Sequence, residues 1–255
     1  MVNPVVVVGI GELGSTFAQG FLKTNHPVYP ITRGQDLHRV ASKIPPPGFV
    51  LIAVAEDDLH PVLDQLPPGW GDRLGLLQNE LLPKDWQQYD IIDPTVISVW
   101  FEKKKGQTAK VLLPSPVFGP KSGLVAAALR SLDIPTKNVA DKDALLFELV
   151  RKNVYILTTN IAGLEVQGNV QALWEKHRTL AEDVAKEVIA IQSQLCQTTL
   201  SEDALIKGML EAFDADPEHK CMGRTAKKRL ERALDFAQKL NVETPVLSKI
   251  NSTHS

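Results

Sequence analysis

Cysteine is nearly absent. The two present in 255 residues, Cys196 and Cys221, cannot form a disulfide framework and have no partner at metal-ligand spacing, so both read as free thiols of a reducing compartment. The six histidines are scattered along the chain and show no ligand spacing either, and no metal is expected. Long apolar runs are also missing. The longest, Val5 to Val8 and Phe49 to Ala55, fall far short of the roughly 18 residues of a membrane span, and residues 1–8 read as a core strand rather than a basic leader. A soluble, cytoplasmic protein is therefore expected, with no membrane partner. Aromatic residues make up only 6% and the formal net charge is −2, which leaves neither a basic face nor interleaved aromatics for nucleic acid. Small molecules are the expected partners.

What is present is concentrated at the start. Val5-Val6-Val7-Val8 runs directly into Gly9-Ile10-Gly11-Glu12-Leu13-Gly14, and Phe17, Phe21 and Leu22 follow at helical spacing. This is a dinucleotide-binding fingerprint in its strand–turn–helix context. Gly9 allows the tight turn, Gly11 lets a pyrophosphate approach the backbone, Gly14 lets the helix pack on the sheet, and the helix N-terminus faces the anion. The bland reading is an empty α/β scaffold with a convenient turn. Glu12 is unusual in such a loop, and the helix dipole suits it best if it points to solvent. The next strand, Pro27 to Ile31, ends in Thr32-Arg33-Gly34-Gln35, where a Rossmann unit distinguishes its cofactors. An arginine suits the 2′-phosphate of NADP, whereas a carboxylate suits the ribose of NAD. Arg33 thus argues for NADP, while Asp36 nearby leaves NAD open and a solvated loop arginine is the plain alternative.

Further strands are predicted at Phe49–Val54 and at Arg73–Asn79, the latter delivering Gln78 and Asn79 to its carboxyl end, where open α/β sheets bind ligands. Val96 to Phe101 and Ala109 to Leu113 read as late strands of the same sheet. From about Asp141 onward the chain reads as helices only. Leu173, Trp174, His177, Leu180, Ala181, Val184, Val188, Ile191 and Leu195 predict one long amphipathic helix with His177 packed on its apolar stripe. Ala226 to Leu240 predicts the last helix, and residues 251–255 a frayed tail. The expected architecture is an α/β protein: a Rossmann doubly wound sheet over residues 1–141, then an all-helical substrate and dimerisation domain over 142–255, with a homodimer as the possible assembly.

The first helix of that second half, Asp143 to Leu164, carries candidate chemistry. At about 100° per residue Lys152 and Thr159 share one stripe and Asn153 and Asn160 the next, so Lys152 and Asn160 can border one cleft. A lysine there can donate a proton to a carbonyl oxygen while an asparagine amide orients the substrate. On residue physics alone, a solvated lysine is the commoner case.

The fingerprint, Gln78-Asn79, Val117-Phe118-Gly119-Pro120, the helix with Arg151-Lys152 and Asn160, and the tail from Gly223-Arg224-Thr225 to Pro245 occur in an order and spacing that resembles the ketopantoate reductase family. That resemblance implies an NADPH-binding Rossmann domain followed by a helical domain, with the active site between them and reduction of 2-dehydropantoate to pantoate as the reaction. It places the catalytic lysine at Lys152 and substrate-binding asparagines at Asn79 and Asn160. Three positions depart from the family pattern. Ala55 stands where a lysine follows the third strand, Ile156 where an asparagine follows the catalytic lysine, and Thr225 or Ala226 where a substrate-binding glutamate is expected. Each loss removes a hydrogen bond to a polar substrate, and an unpaired buried polar group costs about 1–3 kcal/mol, which argues against ketopantoate itself. The leading expectation is an NADPH-dependent reductase of a small 2-keto acid or related carbonyl. The rival, motivated by the same three losses, is a dinucleotide-binding regulatory or scaffolding protein without chemistry. Arg224, Lys227, Lys228 and Arg229 crowd the start of the last helix against its dipole, where either an anion or plain solvent would relieve them.

Overall fold

The structure, a computed structural model, describes residues 3–89 and 91–254. Its contacts divide the chain into two compact units, residues 1–146 and 147–255.

In the first unit, β1 (Val5–Val8), α1 (Glu12–Lys23), β2 (Val28–Ile31), α2 (Leu37–Ala41), β3 (Phe49–Ile52), α3 (Leu59–Leu63), β4 (Leu74–Leu76), α4 (Lys84–Gln87) and β5 (Thr95–Ile97) alternate along the chain. The sheet order β2-β1-β3-β4-β5 is parallel throughout and places the topological switch point between β1 and β3. β1 and β3 are fully buried, which is why both read as unbroken apolar runs rather than alternating ones. Pro30 is tolerated within β2 because that strand lies at the sheet edge. The N-terminal α/β organisation matches the expectation from sequence.

The late strands differ from it. Val96 to Phe101 is not one strand: β5 stops at Ile97, the Trp100 amide donates to the Ser115 hydroxyl, and the chain then forms a separate hairpin of β6 (Phe101–Glu102) and β7 (Lys110–Val111). Ala109 to Leu113 therefore belongs to that hairpin and not to the main sheet. The sixth strand of the sheet is β8 (Ser115–Phe118), antiparallel to β5, followed by α5 (Ser122–Arg130) and β9 (Thr136–Asn138) parallel to β8. Prolines 114 and 116 conceal β8 in the sequence. α1 and α5 pack closely, for a Cβ on Gly20 would come within 2.5 Å of the Ala128 carbonyl oxygen. Phe17, Phe21 and Phe49 close this core through ring contacts at 5.9–6.4 Å.

The second unit is helical: α6 (Lys142–Glu165), which begins in the first unit, then α7 (Val170–Lys176), α8 (Arg178–Cys196), α9 (Glu202–Ala215), α10 (Ala226–Leu240) and α11 (Pro245–Thr253). The long helix expected from Leu173 to Leu195 is broken at His177, whose backbone leaves helical geometry at φ −132. Asn169 caps α7 by accepting from the Ala172 amide, Trp174 packs edge-on against Phe213 of α9, and Arg178 lies over the Trp174 ring across the break. These contacts hold α7 in its own direction. His177 is consequently exposed, contrary to its apparent place on an apolar stripe. The tail is not frayed through 251–253, since α11 runs to Thr253 with Leu247 and Ile250 buried; Ser255 lies outside the described residues.

α11 owes its start to α8. Glu187 accepts hydrogen bonds from the amides of Val246 (2.8 Å) and Leu247 (2.9 Å), so a carboxylate from another helix does the work of an N-cap beside Pro245. Glu187→Ala is expected to cost about 1–2 kcal/mol and to lower Tm by roughly 2–6 °C in a thermal melt, with Glu187→Gln intermediate. An unchanged Tm for Glu187→Ala would show that this cap is dispensable.

Candidate functional site

β1 delivers its chain to a turn in which the three glycines do different things. Gly9 has φ +91, and a Cβ there would stand 2.7 Å from the Ala53 carbonyl oxygen, so both conformation and space demand glycine. A Cβ on Gly14 would collide with the Gly9 carbonyl, and its absence lets the first turn of α1 settle onto the β1 turn. Around Gly11 no atom of the described residues, its chain neighbours aside, lies within 4 Å of such a Cβ. Two glycines thus build the turn, and the third leaves its backbone open. The first-turn amides of α1, from Glu12, Leu13 and Gly14, have no intrahelical acceptor and add the positive end of a helix dipole. A cavity of about 690 Å³ opens over this turn at the carboxyl ends of β1 to β3, with Ile10, Gly11, Arg33, Ala55 and Asp58 in its lining. An open backbone turn at a helix N-terminus, beside a cavity of nucleotide size, fits a dinucleotide pyrophosphate.

The loop after β2 is ordered by its own side chains. Gln35 Oε1 accepts from the Thr32 amide (2.6 Å) and the Thr32 hydroxyl (3.0 Å), and Asp36 Oδ1 accepts from the Arg39 amide to cap α2. Arg33 projects outward with 89% of its side chain exposed, and its Nη2 pairs with Asp58 Oδ2 at 2.8 Å. Glu12 is exposed, as read from sequence, yet it is not merely solvated: Lys103 Nζ, brought in just after β6, lies 3.5 Å from its Oε2.

At the ends of β3 and β4, Gln78 is buried and structural. Its amide nitrogen donates to the Ile52 carbonyl (2.7 Å) and its oxygen accepts from the Leu77 amide. Asn79 is half-buried and donates to Glu56 Oε1 at 2.9 Å. Glu56 belongs to a short turn of helix, Glu56–Asp58, that starts from Ala55.

On α6 each of the two candidate stripes has one member in the core and one at its edge. Asn153 and Thr159 are core residues, bonded to Gln192 Oε1 and to the Tyr155 carbonyl respectively. Lys152 and Asn160 are half-buried. The Lys152 ammonium lies 5.5 Å from the centre of the Tyr155 ring, a cation–π arrangement. Asn160 donates to the Ile156 carbonyl and accepts from the Gly223 amide at 3.1 Å, so one of its roles is to hold the chain before α10. Ile156 and Ala226, where the family pattern has polar side chains, are both buried. The basic turn of α10 is not a uniform solvated face either: Lys227 donates to the His254 carbonyl, and Arg229 is buried. Burial pushes the Cys221 thiol up to about 11, which leaves little thiolate near neutral pH and removes it as a nucleophile.

Sequence reasoning passed over Asp58, Gln35 and Lys103. Gln35 was within reach, because Thr32 and Gln35 sit at turn spacing. Lys103 carries no local signal, since its partner lies on α1.

No protein-family model matches the chain, and no curated protein matches it in sequence. Its fold, however, is shared with solved structures over nearly full length. A 2-dehydropantoate 2-reductase from Methylococcus capsulatus superposes with a TM-score of 0.72 at 14% identity, covering 98% of this chain and 95% of that one. A dimeric ketopantoate reductase from Staphylococcus aureus gives 0.66 at 15%, covering 98% and 96%. A complex of D-mandelate dehydrogenase with NADH gives 0.67 at 12%, covering 98% and 96%. Among the described residues, no helix is long and apolar enough to cross a membrane.

Proposed function

We propose that this chain is an NADPH-dependent reductase of a small 2-keto acid or a related carbonyl compound, with Lys152 as the proton donor. The observation that carries the reading is the open Gly11 backbone at the N-terminus of α1, above a cavity at the switch point of a parallel sheet. Its support comes from the shared fold of reductases named for 2-dehydropantoate and of a D-mandelate dehydrogenase with NADH. The turn from Gly9 to Gly14 would hold the pyrophosphate, and Arg33 the 2′-phosphate. When bound, a dihydronicotinamide would supply hydride to the carbonyl carbon. Lys152 Nζ gives a proton to the carbonyl oxygen, so the ketone becomes an alcohol and the lysine is left neutral until solvent reprotonates it. Asn79 and Asn160 would orient the substrate through the amide hydrogens that Glu56 and Ile156 do not use. The apolar Ile156 and Ala226 offer no partner to the hydroxyl of ketopantoate, which directs the reading to less polar 2-keto acids. A homodimer completes the proposal, the Staphylococcus aureus protein being dimeric.

Calorimetric titration should give NADPH an affinity at least about tenfold above that of NADH, the roughly 1.4 kcal/mol that a charged bidentate contact from Arg33 can supply. A screen of 2-keto acids should then find at least one that consumes NADPH. Binding of NADPH without consumption by any carbonyl compound favours the regulatory reading, and absence of dinucleotide binding removes both.

A further inference from the structure

Among the described residues two carboxylates, Asp36 and Asp58, line the cavity on the side of β2, but they are engaged differently. Asp36 is the N-cap of α2 and spends its Oδ1 on the Arg39 amide. Asp58 also occupies an N-cap position, ahead of α3, yet its side chain makes no capping hydrogen bond. It turns instead to Arg33, and its Oδ2 meets Nη2 at 2.8 Å. Both partners are open to solvent, with 89% and 43% of their side chains exposed, so the pair is readily exchanged for another partner. A guanidinium and a carboxylate at one end of a dinucleotide cavity ask opposite things of a ribose. The guanidinium suits a 2′-phosphate, whereas the carboxylate accepts from a 2′-hydroxyl and repels a phosphate.

Resting on the dinucleotide reading above, we infer that Asp58 is a specificity-determining residue of this site. It occupies Arg33 and sets a like charge against the 2′-phosphate, and so it holds down the preference for NADPH over NADH. Asp36, the carboxylate that sequence position singles out, is committed to the backbone and does not set that preference. A phosphate arriving at Arg33 meets the Asp58 charge beside Nη2, and a plain ribose brings no charge against it.

The test is titration of NADPH and NADH into the full-length protein and its variants. Asp58→Asn keeps the shape and removes the charge. It should tighten NADPH about fivefold, leave NADH unchanged or up to about twofold weaker, and so widen the affinity ratio about five- to tenfold. Arg33→Ala should narrow the ratio. Asp58→Ser, which also removes the charge and retains an N-cap side chain, must move the ratio in the same direction as Asp58→Asn, and it serves alone if the asparagine variant does not fold by circular dichroism. A ratio within twofold of wild type in the folded variants, or a narrowed one, overturns the role of Asp58 while dinucleotide binding stands. Failure of the wild-type protein to bind either dinucleotide overturns the underlying reading and this inference with it.

Discussion

Gly11→Val is expected to abolish dinucleotide binding, by at least about 100-fold, while far-ultraviolet circular dichroism stays at wild-type values. The expectation separates the three glycines of the turn by what surrounds them. At Gly9 and Gly14 a side chain would strike Ala53 and the Gly9 carbonyl, so substitution there would damage the fold together with any site. At Gly11 a Cβ meets no atom of the described residues within 4 Å beyond its chain neighbours, and the backbone there, at φ −77, is one that valine adopts. The new methyl groups would instead occupy the space through which a pyrophosphate must approach the first-turn amides of α1. Loss of binding in a folded protein is thus the signature of a phosphate cradle. Retained binding of NADPH by Gly11→Val would show that the turn does not carry the nucleotide, and a collapsed dichroism spectrum would show that Gly11 serves packing after all.

The turn was legible in the sequence because all of its determinants are local. Four consecutive valines specify a strand buried on both faces, and the spacing of Gly9, Gly11 and Gly14 specifies a turn into a helix, so one short stretch contains the whole argument. The partners of that turn were not legible, for a physical reason. Asp58 reaches Arg33 only because β3 lies beside β1, and Lys103 reaches Glu12 only because the β6–β7 hairpin folds toward α1. No pattern within either segment announces these pairings. Asp36 illustrates the converse: its position near Arg33 suggests a ribose ligand, yet the same position makes it the N-cap of α2, and the backbone claims it. In the helical unit, apolar spacing continues through residue 177 as if one helix ran from α7 into α8. Periodicity reports which residues face a core and says nothing about a change of axis, which the contacts of Trp174 with Phe213 and Arg178 impose. Asn160 was recognised through a resemblance, but its bonds to Ile156 and Gly223 depend on where the chain returns before α10.

Lys152→Ala should lower turnover of whichever 2-keto acid is reduced by about 10²–10⁴-fold, the range for loss of a positioned proton donor, with NADPH affinity within about twofold of wild type. Loss of rate without loss of cofactor is the required pattern, because Lys152 stands on α6 whereas the glycine turn and Arg33 belong to the first unit. The side chain is half-buried and rests beside the Tyr155 ring, so its removal opens a small gap at the helix surface rather than in the core; a melting temperature within a few degrees of wild type would separate chemistry from unfolding. Asn79→Ala should raise KM more than it lowers kcat, as expected for an amide that mainly holds substrate. Asn160 needs a more discriminating change, since alanine would also release the Gly223 amide. Asn160→Asp keeps an acceptor oxygen for Gly223 while removing the donor hydrogens and placing a negative charge beside the Ile156 carbonyl, and an unchanged KM in this variant would show that those hydrogens do not hold substrate. A folded Lys152→Ala protein that turns over substrate at the wild-type rate would dismiss Lys152 as the acid and leave the proton to water or another group.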